Sequence, residues 1–279
     1  MNQTIFLLLG VLGLAGIGSL VASNDDDHAP DAPPDDPYGG RDVTEGTDDA
    51  DTIIGTDGDD AIQSYGGDDS VDAGAGDDLV WTGYGNDTVA ADPGDDEIYL
   101  GYGDDVYGGL DLGADQGNDT IDGGEGNDTI TVNPGEHSIT GGAGDDSITD
   151  NGATVYIDGG KDDDLILSAD DSTPDAQDTL LGGDGNDTIY AGGHDIVDGG
   201  KGSDHIVISD AVSGAVDVTY GSADTITLSV PKDYTGADKP DLVQDGDDVQ
   251  VVLNGKVLAV LRDTEVSGVG PINIERATA

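Results

Sequence analysis

From residue 46 to residue 207, one aliphatic side chain recurs every nine residues, set among glycine, aspartate, asparagine and threonine. With position 1 at Gly46, units begin at 46, 55, 64, 73, 82, 91 and 100, then at 114, 123, 132, 141, 150 and 159. Further units begin at 173 and 182, an eight-residue unit at 191 and a last clear one at 199. Five extra residues, Gly109–Gly113, break the count once, and Ser168–Ser172 break it again. Position 8 is Ile, Val or Leu throughout except at Tyr107, and position 6 is Asp except at His137 and Val155. Internal repetition of this kind takes precedence over other fold signals.

The unit reads as a turn followed by a short strand. Glycines at positions 1, 2 and 4 permit positive φ and a tight turn. Positions 7 to 9, such as Thr129-Ile130-Thr131, form a strand whose middle side chain points to one face and whose flanks point to the other. Two units then make one coil of about 18 residues, and stacked coils give two parallel sheets with the position-8 side chains between them. Turns stack along two edges. Odd-numbered units, counted from Gly46, supply one edge and even-numbered units the other.

Charge changes this picture. The 279 residues carry a formal charge of −53, and no Lys or Arg lies between Arg41 and Lys161. Such a surface repels nucleic acid and anionic lipid. Acidic tracts of this length are ordinarily disordered, but a disordered tract has no reason to keep an aliphatic residue two places after an aspartate. One buried aliphatic side chain per nine ordered residues is a thin core, and two stacked carboxylates about 5 Å apart repel by roughly 1 kcal/mol even in water. A divalent cation between stacked turns would reverse that repulsion. Carboxylate and carbonyl oxygens, without cysteine and with four histidines, select Ca²⁺ over Zn²⁺ or copper, and a many-oxygen flexible cage selects it over Mg²⁺. The coil is therefore expected to fold on binding metal.

The candidate ligands are the position-6 carboxylates: Asp51, Asp60, Asp69, Asp78, Asp87, Asp96, Asp105, Asp119, Asp128, Asp146, Asp164, Asp178, Asp187, Asp195 and Asp204. After the first insert the odd units all begin Gly-Gly and keep Asp at position 6. The even units are degraded: ADQGNDTID, VNPGEHSIT, DNGATVYID, TPDAQDTLL and AGGHDIVD. Calcium is expected on both edges before about residue 108 and mainly on the odd edge after it. His137 reads as a decayed site rather than a ligand for a softer metal.

The units GGEGNDTIT, GGAGDDSIT and GGDGNDTIY resemble the RTX, or haemolysin-type, calcium-binding nonapeptide, the likeness covering about residues 46–207. The resemblance implies an all-β, right-handed parallel β-roll (a β-solenoid). It implies Ca²⁺ ions held between adjacent turns by the position-6 aspartates and turn carbonyls. It also implies export by a type I secretion machinery and folding in external calcium.

Four segments follow. Residues 1–23 contain the uncharged run Thr4–Ala22, long enough as a helix to cross a bilayer; it reads as a membrane anchor, a cleaved signal or an interfacial helix, and it lacks the basic n-region of most signals. Residues 24–45 are an acidic, Pro-rich linker. Residues 46–207 are the roll. Residues 208–279 are expected to be a β cap, with Asn254-Gly255 turning a hairpin of type I′, and they hold most of the basic residues.

No HExxH or GxSxG motif occurs, so a metalloprotease or serine-hydrolase site is not expected. A pore-forming role lacks a long amphipathic region. The Thr array at position 7 is broken by Leu79, Glu97 and Val106, which weakens an ice- or polysaccharide-binding face. The sequence therefore predicts a non-catalytic calcium-binding module, secreted or at the cell surface; the alternative is an accessory part of a secreted enzyme or toxin system.

Overall fold

A computed structural model describes residues 38–90, 92–108, 117–152, 154–169 and 177–277. The segment 4–22 and the linker up to residue 37 lie outside the described residues, as do residues 109–116 and 170–176, which hold most of the two inserts. Among the described residues no helix is long and apolar enough to cross a membrane. Their one helical element is a 3-10 turn at Val266–Gly268.

Successive strands alternate between two sheets, one of 13 strands and one of 11. Strand Asp42–Thr47 lies in the larger sheet, Thr52–Thr56 in the smaller and Asp60–Tyr65 in the larger again. Each strand pairs in parallel with the strand one coil later, as in Ile53↔Val71 and Ile121↔Ile139. This is a parallel β-solenoid of about 10 turns.

The register shows how the irregular units are absorbed. Most ladder partners are 18 residues apart; the separation is 23 across each insert and 17 across the short unit. Even so, Ile98 still pairs with Ile121, Ile157 with Leu180 and Leu180 with Val197. The strands set the rung spacing, and changes in length fall between strands.

The core is the position-8 column. Ile62, Val80, Ile98, Ile121, Ile139 and Ile157 from the larger sheet face Val89, Tyr107, Ile130, Ile148, Ile166 and Ile189 from the smaller, all essentially inaccessible. Each contributes roughly 1.5–3 kcal/mol on burial. Tyr107 fits among these aliphatic neighbours because its hydroxyl reaches Asp119.

The stack continues past residue 207. Val216–Thr219 extends the larger sheet and Thr225–Val230 the smaller. Lys256–Arg262 then pairs in parallel with Val216–Thr219, while Asp248–Leu253 and Asp241–Asp245 follow antiparallel. Asn273–Arg276 closes the smaller sheet. Asn254 and Gly255 both have positive φ (53° and 82°), as a type I′ turn requires. Arg262 ties this cap to the last coil by donating to Asp217 and Asp248.

Candidate metal centre

The position-6 side chains point inward at the turns, and their carboxylates form ladders. The amide N–H of each donates to Oδ1 of the position-6 aspartate one coil later. On the odd edge the series includes Asp51 to Asp69, Asp69 to Asp87, Asp87 to Asp105, Asp105 to Asp128, Asp128 to Asp146, Asp146 to Asp164, Asp164 to Asp187 and Asp187 to Asp204, at 2.7–3.0 Å. On the even edge it includes Asp60 to Asp78, Asp78 to Asp96 and Asp96 to Asp119. There Asp119 donates to Nδ1 of His137, and the amide of Val155 donates to Asp178.

Two features escaped the sequence reading. Position 5 forms a second ladder in the opposite sense, its side chain accepting from the position-5 amide of the following coil. Asp59 accepts from Asp77, Asp68 from Asn86, Asn127 from Asp145 and Asn186 from Ser203. The recurrence of Asp or Asn at position 5 was the available signal. Asp224 was also missed: it accepts from the Asp204 amide and is buried, with Gly221 three residues before it as the only local hint.

The ladder occupies one carboxylate oxygen and leaves the other. Oδ2 of Asp69, Asp78, Asp87, Asp105, Asp128, Asp146, Asp164, Asp187 and Asp204 is buried without a hydrogen-bond partner. Eight of these nine lie on the odd edge. From Asp128 onward, position-1 glycines explain the space around them. A Cβ on Gly123 would collide with Asp128 Oδ2 and the Gly141 carbonyl oxygen; Gly141, Gly159 and Gly182 repeat the arrangement with Asp146, Asp164 and Asp187. A carboxylate oxygen and a carbonyl oxygen thus converge over a residue that must lack a side chain, with no donor between them.

Burial raises several of these carboxyls. Asp164 is pushed up to about 8, Asp105 and Asp146 to about 7, and Asp78, Asp128 and Asp187 to about 6. Asp87 is raised chiefly by burial, with the Asp69 amide and Thr82 hydroxyl opposing. The ladder amide opposes the shift, and neighbouring carboxylates add to it. Such groups take up either a proton or a cation. The donors are hard oxygens, which fit Ca²⁺. No three His, Cys, Asp or Glu side chains among the described residues converge to hold a metal, so carbonyls would have to complete any ligand set.

The other predicted ligands are placed differently. Oδ2 of Asp51 accepts from the Thr47 amide and hydroxyl, and Oδ2 of Asp60 from those of Thr56. Asp119 Oδ2 accepts from Tyr107, while Oδ2 of both Asp178 and Asp195 lies against the Ser168 hydroxyl. Asp195 is pushed up to about 7 by burial and by Asp178, and its Oδ1 is unpartnered. Asp96 is buried at its ladder position.

Stacked buried aspartates on a parallel β-solenoid define a repeat protein of the metal-binding kind. The description "RTX calcium-binding nonapeptide repeat (4 copies)" matches residues 45–80, 81–111, 114–136 and 175–206. The chain carries repeats of the RTX calcium-binding nonapeptide family. No curated protein matches it. Among solved structures, the extracellular lipase LipA from Serratia marcescens is 13% identical with a TM-score of 0.20, covering 84% of this chain. The match spans 40% of the lipase chain, and a likeness this slight carries no argument.

Proposed function

We propose that this protein is a secreted or surface-exposed calcium-binding β-roll, right-handed like the family it resembles, that folds as calcium binds, and that it serves as a non-catalytic structural or adhesive module outside the cell. The observation that carries the reading is the run of buried, unpartnered Oδ2 atoms on the odd edge, those of Asp128, Asp146, Asp164 and Asp187 each beside a carbonyl oxygen and a position-1 glycine. When bound, Ca²⁺ would neutralise this column of charge. The residues that would hold it are Asp69, Asp87, Asp105, Asp128, Asp146, Asp164, Asp187 and Asp204, with turn carbonyls. Binding free energy is then folding free energy, which suits a chain passed unfolded through a type I secretion machinery into external calcium. The RTX repeats support export, and the run 4–22 would add a tether or a signal.

The test is far-UV circular dichroism of the EDTA-stripped protein, titrated with Ca²⁺ and, separately, with Mg²⁺. A cooperative gain of β structure with calcium alone is expected. A full β spectrum in EDTA at pH 8 would overturn the reading.

A further inference from the structure

We infer that His137 stands in for a calcium ion, closing its own rung of the even edge with nitrogen donors and acceptors. The inference rests on the calcium reading of the odd edge.

His137 occupies position 6 and is 4% exposed. Its Nδ1 accepts the Asp119 amide at 3.0 Å, the ladder bond that Oδ1 of Asp146 accepts from Asp128 at 2.8 Å. With the Nδ1 lone pair so used, the ring proton lies on Nε2. Nε2 donates to the Asn133 carbonyl at 2.8 Å. An aspartate at this position would present a second bare oxygen, as those of the odd edge do; the imidazole instead presents an N–H to the Asn133 carbonyl. The ring also fills the local space. A Cβ on Gly135 would collide with the Gly117 carbonyl oxygen and with Nε2 and Cε1 of the ring.

The neighbouring groups complete the closure. Asp119 Oδ2, 3.2 Å from Nδ1, takes a hydrogen bond from the Tyr107 hydroxyl. One coil further on, Val155 offers no side-chain oxygen, and its amide is used by Asp178. Asn133 Nδ2 is the unpartnered buried side-chain atom at this rung, and it is a donor that no cation would take. The rung lacks the bare oxygen that a cation needs, so His137 is a specificity-determining residue that sets which turns bind metal.

Equilibrium dialysis against calcium and denaturant unfolding in saturating calcium test this on the full chain. His137→Asp should gain one bound ion per chain over wild type and keep stability near wild type when calcium is saturating. His137→Ala should bind the wild-type number of ions and unfold at a lower denaturant midpoint, because the Asn133 carbonyl and Asp119 amide lose their partners. His137→Asn, which keeps an acceptor for that amide, replaces the alanine variant if the latter does not fold. No ion gained by His137→Asp, an ion lost in His137→Ala or His137→Asn, or wild-type stability in those variants each overturns the inference. Wild-type protein that binds no calcium would instead break the underlying reading, and the stability of His137→Ala would still report on the closure.

Discussion

Along the odd edge, Asp105, Asp128, Asp146, Asp164, Asp187 and Asp204 each give one oxygen to the ladder and leave the other buried and bare. Along the even edge over the same span, Tyr107, His137 and Ser168 supply polar groups to the equivalent positions. Both edges hold the same rung spacing and the same kind of amide ladder. The amide ladder therefore does not decide metal dependence. In the proposed calcium reading it is decided by the fate of the second carboxylate oxygen, since a buried group left unpartnered costs about 1–3 kcal/mol, and more when charged.

The largest effect expected from this contrast is on pH. Asp105, Asp128, Asp146, Asp164 and Asp187 of the odd edge have folded pKa values above the ordinary 3.8, so the folded state binds protons more tightly than the unfolded one. Their contribution is complete below about 4 and is lost as pH rises through 6 to 8. In EDTA the roll should gain β signal between pH 8 and pH 5.5, read by circular dichroism; a metal-free roll no more structured at pH 5.5 would break the comparison. Next in size is a matched pair of neutralisations. Asp164→Asn should raise stability in EDTA and move the calcium midpoint of folding upward by about tenfold, equivalent to about 1.4 kcal/mol. Asp178→Asn, facing the Ser168 hydroxyl, should move that midpoint less than twofold. Equal shifts would mean that the edges are equivalent. The smallest effect is that of Ser168→Ala, which should cost about 1 kcal/mol in denaturant unfolding, by the same amount at two calcium concentrations that both keep the protein folded.

The repeat made much of this legible. Period nine placed Ile130, Ile148 and Ile166 in one buried column and Asp128, Asp146 and Asp164 in another. The sequence reading gave a role only to the position-6 acid and so passed over the position-5 ladder, in which Asp59 and Asn127 accept hydrogen bonds from backbone amides. The coil at Val216–Val230 was illegible for a different reason. Parallel pairing needs extended backbone and an apolar inward face, which Val218 and Ile226 supply, but it does not need the nonapeptide spacing. Nor does a tight turn always announce itself by glycine: Tyr65 and Asp162 hold positive φ at positions 2 and 4.

The confinement of length changes to the stretches between strands bears on how such a protein can diversify. Rungs separated by 17, 18 or 23 residues keep one register, and lengthening a flexible loop adds closure entropy slowly, about 0.6 kcal/mol per doubling. A mutation that inserts residues within a strand would shift its inward and outward faces along the whole strand, whereas the same insertion at an edge leaves every other coil as it was. Lineages of this fold can therefore graft new surface at the edges, one turn at a time, while the rest of the stack is inherited unchanged.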